Sequence, residues 1–245
     1  MNRRSSCGFG FLEIFIGLML SSIILIAVGR YTVLIKHQAV HVNKLFTEDA
    51  DVRRITSMLR LSIWQAGFTP CMNLDRLISI DQRDSPVNLH AIDLDHGIKI
   101  NRMSQIFSEV IEWGDPQTFT LKSRAGIMQD YPVIIADCEH AEVQAILSMH
   151  PTVTGTTLRV QHALAFTYTP PVYVGEWVEE SFYAQQAPGQ AGALFYKRHH
   201  VDRITERVHS LSVQAHSAPL GRLIKVTLGL DQARTFDLHA MVRAR

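Results

Sequence analysis

The spacing of hydrophobic positions along this chain changes twice. From Phe9 to Val28 they form an almost unbroken run, FGFLEIFIGLMLSSIILIAV. As an α-helix, such a run rises about 30 Å, the thickness of a bilayer's hydrocarbon core. Beyond Gly29 the apolar residues keep to one side. Leu34, Ile35, Val42, Leu45, Phe46, Val52, Ile55, Leu59, Ile63 and Ala66 recur three and four apart, the period of an amphipathic helix. Lys36, Lys44, Glu48, Asp49, Asp51, Arg53, Arg54 and Arg60 occupy the other face and read as a solvated surface. Gly67 suits the residue just past a helix end, and Pro70 prevents continuation. The pattern predicts one helix from Phe9 to Ala66, about 87 Å long if unbroken, with Gly29 and the Thr47–Asp51 stretch as its bends.

From Leu77 onward the period falls to that of short strands and turns. Strands are predicted at 77–80, 97–100, 109–113, 118–123, 133–137, 158–161, 193–197, 208–214, 223–230 and 236–242. Trp113-Gly114-Asp115-Pro116 predicts a hairpin turn. No ten-residue helix alternates with these strands, which argues against a parallel doubly wound sheet. The expected class is α+β: an antiparallel sheet lying on the long helix. The segment Val172 to Gly192 carries Trp177, Phe182 and Tyr183 and then a run rich in Gln, Pro and Gly. It reads as a long surface loop, with a partner-contacting loop as the alternative.

Composition narrows the function classes. With 47% hydrophobic and 19% charged residues the chain supports a sizeable core and is not disordered. Lys plus Arg number 24 against 23 Asp plus Glu, so no global basic field points to nucleic acid, and no direct nucleic-acid binding is expected. Three cysteines are too few for a disulfide-built scaffold. Twelve histidines raise the question of metal. His37 and His41 share a helix face, but nothing at ligand spacing completes a site. Asp93-x-Asp95-His96 is a run of donors that loops produce by chance. No metal and no cofactor are expected. Nucleophile-elbow, phosphate-loop, zinc-protease and dinucleotide motifs are all missing, so an enzyme is not expected and no catalytic residue is assigned.

Arg3 and Arg4 precede the apolar run. Positive charges there stay in the cytoplasm, which places the remainder on the far side of the membrane. Glu13 lies inside the run, where a carboxylate costs about 2.5–3.5 kcal/mol on translocon scales. A residue so placed usually has a partner and a role; the alternative is that Glu13 lies near the interface and reaches water. Two alternatives stay open: cleavage by ordinary signal peptidase after Ala27-Val28-Gly29, leaving a soluble chain that starts at Arg30, and a plain uncleaved anchor.

The string Gly8-Phe9-Gly10-Phe11-Leu12-Glu13 resembles the processing site of type IV pilins and pseudopilins, with Gly10 and Leu12 in place of the family's usual Thr and Ile. The resemblance implies a basic leader at 1–8, cut after Gly8 by prepilin peptidase. It also implies N-methylation of the new terminus at Phe9, and a Glu13 that pairs with a neighbouring subunit's amino group. Residues 9–28 would be the membrane and filament-core half of the helix, 29–66 its amphipathic half and 67–245 a periplasmic head. Cys7 leaves with the leader, so Cys71 and Cys138 remain as an even pair in an oxidising compartment. A disulfide between them is expected, with two buried thiols as the alternative. Ala66-Gly67-Phe68 before Cys71, and Ala136-Asp137-Cys138, are similar to PilW-type minor pilins. The implied function is a minor pilin that initiates or caps a type IV pilus. The partners would be other minor pilins, the major pilin, prepilin peptidase and the inner-membrane assembly machinery. A minor pseudopilin of type II secretion is the nearest alternative, and a membrane-anchored periplasmic binding protein or hydrolase the next.

Overall fold

A computed structural model describes residues 10–84, 86–186, 192–218, 221–230 and 234–243. Side chains at 37, 39–49 and 218 lie outside that description, as do the leader and the proposed cleavage pair Gly8 and Phe9. The chain divides into two compact units, one ending at Arg53 and the other beginning at Arg54.

Helix α1 spans Phe11–Trp64 and passes through Gly29 and 47–51 without losing helical structure. It ends as its sequence requires. Gly67 adopts φ +69°, and a Cβ there would stand 2.7 Å from that of Ala91, so a side chain at this turn is excluded twice over.

A 3₁₀ turn at Leu74–Arg76 leads into the strands, fifteen among the described residues. In chain order these are β1 (Ile78–Asp81), β2 (Val87–Asn88), β3 (Ile92–Asp93), β4 (Ile98–Trp113), β5 (Thr118–Leu121) and β6 (Val133–Ala136), then β7 (His140–Gln144), β8 (Ile146–Pro151), β9 (Thr156–Val160) and β10 (Tyr173–Gln185). The last five are β11 (Ala193–Lys197), β12 (Val201–Thr205), β13 (Val208–Ala218), β14 (Gly221–Leu230) and β15 (Thr235–Met241). The larger sheet runs β2-β1-β7-β6-β10-β4-β5-β9-β8, with β3 added beside β4, and β11 and β12 beyond β10. A second sheet runs β13-β14-β15. Pairing is antiparallel except between β1 and β7, which run parallel. The α+β class holds, with this one departure from an all-antiparallel sheet.

The predicted hairpin at Trp113–Pro116 joins β4 to β5, and the alternating C-terminal segments form β14 and β15. Two predicted segments, 97–100 and 109–113, are the ends of one sixteen-residue strand, β4.

The reading of 172–192 as a loop is corrected. Residues Tyr173–Gln185 are β10, which pairs with β4 along most of its length. Its carboxylates interrupt the apolar alternation and made the segment look like surface. Each is matched by a cation from another strand or loop: Glu176 by Arg198 at 3.1 Å, Glu179 by Arg83 at 2.7 Å and Lys99 at 2.8 Å, and Glu180 by Arg102 at 3.0 Å. Pairing makes a charged strand compatible with burial. Residues 187–191 of the segment lie outside the description.

From Arg54 onward the helix carries the predicted stripe. Ile55, Leu59, Ile63 and Ala66 are buried in one core with Ile98, Ile100 and Phe182 of the larger sheet and Ile224, Val226, Leu238 and Ala240 of the smaller. The four positions lie one helical turn apart or nearly so, which puts them on one face. Two further cores lie within the larger sheet, one around Met103, Ile134 and Trp177 and one around Phe119, Leu158 and Val174.

Candidate functional site

The apolar run occupies the start of α1. Residues Phe11–Lys36 are long and apolar enough to cross a membrane, and none of this segment is buried against the rest of the chain. Its serine and threonine hydroxyls are satisfied locally. Ser21 Oγ donates to Gly17 O at 2.7 Å, Ser22 Oγ to Met19 O at 2.8 Å and Thr32 Oγ1 to Val28 O at 2.6 Å. Hydroxyls returned to the helix's own carbonyls suit a segment with no water around it.

Glu13 lies in the first turn, its backbone N–H donating to Gly10 O at 2.9 Å. A carboxylate at a helix N-terminus is favoured by the free N–H groups there. The first cationic side chain after it is Arg30, seventeen residues on, or about 26 Å along a helix. Among the described residues of the helix no cation is therefore within ion-pair reach of Glu13.

Where α1 ends, the head is tied together. Cys71 and Cys138 are bonded, with Cα atoms 5.2 Å apart and a sequence separation of 67. Closing a loop of that size stabilises the folded chain by about 4 kcal/mol in the chain-entropy account. Asn73 Nδ2 donates to Ala66 O and to Arg243 O, both at 3.0 Å, which joins the helix end to the C-terminal strand region. The Arg243 guanidinium lies 5.3 Å over the Trp64 ring. Trp64, Ala66, Cys71, Asn73 and Arg243 are among the residues that line a groove of about 480 Å³.

A second polar cluster, which sequence reasoning missed, lies under the 161–171 segment. Asp137 is buried and accepts from the N–H groups of Glu139 at 2.8 Å, His140 at 2.6 Å and Thr169 at 2.9 Å. Burial alone would raise its carboxyl, but these three donors hold it below the usual range. Glu142 is buried and its carboxyl is pushed up by burial, partly offset by the N–H of Ala165 at 2.7 Å. The Tyr168 hydroxyl is pushed up by burial and then by the charges of Glu142 and Asp137. Gln144 adds contacts to His162 O at 3.4 Å and from His162 N at 3.3 Å. These groups bind a stretch of backbone to the sheet, a structural task. The Asp137-x-Glu139-His140 spacing, an Asp bonding the N–H two and three residues on, is the only part of it visible in sequence.

The other expected site residues fall out as follows. Among the described residues no three His, Cys, Asp or Glu side chains gather into a metal-ligating group. The side chains of His37 and His41 lie outside the description. Asp93, Asp95 and His96 form the turn from β3 to β4: Asp93 Oδ1 accepts from Asp95 N at 3.1 Å, and His96 takes φ +59°. Their spacing is turn chemistry.

Comparison of the chain with protein-family models, with curated proteins and with solved structures returns no match.

Proposed function

We propose that this chain is a filament subunit of the type IV pilin kind, closest to the PilW-type minor pilins, and that its role is assembly rather than catalysis. One observation carries the reading. An apolar span holds a carboxylate in its first turn with no cation near it along the helix, and the same helix continues into a stripe sunk in the head's core. The Gly8-Phe9 junction upstream supplies the missing charge. Cleavage after Gly8 creates an α-amino group on Phe9, which is then methylated. An ammonium meeting a carboxylate in low dielectric offsets part of the cost of burying either. Glu13 of one subunit pairs in this way with the amino terminus of its neighbour.

In this reading residues 9–28 anchor the subunit in the inner membrane with the head in the periplasm, until the helix transfers into the pilus. The partners are other minor pilins, the major pilin, prepilin peptidase and the assembly machinery. The bonded Cys71–Cys138 pair supports an oxidising compartment for the head.

The test is intact mass and N-terminal sequence of the protein from its native host. The expected product has 245 − 8 = 237 residues and begins at N-methylated Phe9. A chain beginning at Arg30 is an ordinary secreted protein and overturns the reading. So does a chain beginning at Met1. Glu13→Ala is expected to abolish filament incorporation while the head melts as before. Co-purification with pilus rather than secretion components separates the minor pilin from a pseudopilin.

A further inference from the structure

We propose that the groove at the end of α1 receives the β4–β5 hairpin tip of a second copy of this chain. The two surfaces have opposite character. The groove is walled by Trp64, Phe68, Pro70 and Met72 and carries the guanidinium groups of Arg76 and Arg243. Among the described residues no carboxylate lines it. Among the described residues none pairs with either arginine. Trp64 is 47% exposed, and exposed tryptophan beside arginine is the composition of residues that dominate protein contacts. The walls are held in advance by the Cys71–Cys138 bond, by Asn73 and by the stacking of Arg243 on Trp64, so little order is lost on docking.

The hairpin tip is the complement. Ile111 and Trp113 are 47% and 38% exposed, large apolar side chains at the end of a strand. Glu112 alternates with them on the opposite face, and Asp115 lies in the turn, both exposed. The Asp115 carboxyl is held below its usual range by the N–H of Gln117 at 2.7 Å, with the Thr118 hydroxyl and then Arg159 acting on it more weakly. Among the described residues Glu112 has no cationic partner. A tip with two carboxylates and a tryptophan offers what a groove with two guanidinium groups and apolar walls lacks.

The tip cannot reach the groove of its own chain. Gln105 lines the groove and Trp113 begins the tip. Both belong to β4, eight residues apart, or about 26 Å along a strand. The contact therefore runs head to tail between copies, the kind of interface that extends in one direction. A nucleic-acid strand is the weaker match, because two guanidinium groups neutralise only two phosphates. The contact stands independently of the filament reading, since it uses only head residues.

The experiment is sedimentation velocity of the full chain in maltoside micelles over a range of concentrations. Wild type is expected to associate reversibly. Arg76→Glu with Arg243→Glu should weaken association about tenfold or more, and Glu112→Lys with Asp115→Lys should do the same. A mixture of the two double variants should associate again, because each supplies the surface the other now fits. That recovery also shows that both variants fold. A wild type that stays monomeric overturns the proposal. So does association indifferent to the charge reversals, which would put the contact elsewhere, and so does tight binding of a single-stranded oligonucleotide abolished by Arg76→Glu.

Discussion

The two ends of α1 are built from similar residues and answer to different surroundings. Between Phe11 and Lys36 the apolar side chains point all round the helix and stay exposed, and the few hydroxyls bond back to their own backbone. Between Ile55 and Ala66 a stripe of Ile55, Leu59, Ile63 and Ala66 is buried in the head to within 1% exposure, while Leu61 and Trp64 stay exposed. The second stretch is stabilised by burial, about 1.5–3 kcal/mol for each large aliphatic side chain. None of the first stretch is buried against the described residues, so no such term is counted for it. Helical structure alone does not tell these situations apart; the distribution of apolar positions around the axis does.

The comparison breaks most sharply at the disulfide, which belongs to the head alone. Replacing Cys71 and Cys138 by Ser is expected to lower the head's stability by about 4 kcal/mol, seen as a shift in the denaturant midpoint. Extraction of the protein from membranes should not change. The comparison is sharpened next by two matched leucines. Leu59→Ala removes a fully buried side chain and should cost about 3 kcal/mol in the head's unfolding. Leu20→Ala removes an exposed one and should move the same transition by less than about 0.5 kcal/mol. Equal effects from the two would mean that the first stretch packs on protein after all.

The two stretches also differ from the rest of the head in how legible they are. Both were readable because their signals are local: an almost unbroken apolar run of twenty residues, then a stripe at helical spacing, then Gly67. The Trp113–Pro116 hairpin and the β14–β15 pair were readable for the same reason. Strand β10 was not. Its Glu179 is matched by Arg83, 96 residues away in sequence, and its Glu180 by Arg102, 78 residues away. No local pattern announces such partners, so a charged central strand imitates a surface loop. The parallel β1–β7 pair is hidden likewise, since register between distant segments leaves no periodic mark. Of the candidate site, Glu13 stood out because one charge interrupts an apolar run. The groove did not, because Trp64, Arg76 and Arg243 meet only once Asn73 has joined the helix end to the last strand.

Those long-range charge pairs yield a smaller predicted effect than the disulfide or the buried leucine, and the most specific one. Burial alone would raise the Glu179 carboxyl, but hydrogen bonds and charge from Arg83 and Lys99 overcome that and hold it at about 2. A carboxylate with its folded value depressed contributes stability above its unfolded value of about 4.3 and loses it as pH falls toward the folded one. Full linkage sets a ceiling of about 3 kcal/mol, and solvent at the partly exposed pair lowers this to about 1–2 kcal/mol. Glu179→Gln should therefore destabilise the head most between pH 6 and 7, with the deficit shrinking toward nothing near pH 2. Glu142 has the opposite sign. Its carboxyl is raised by burial, so it favours the folded state in acid, and that contribution is lost as pH rises through the raised value. Melting curves of wild type, Glu179→Gln and Glu142→Gln from pH 2 to 7 should thus diverge in opposite directions. A Glu179→Gln deficit that stays constant across that range would assign the residue to packing and remove the charge argument for β10.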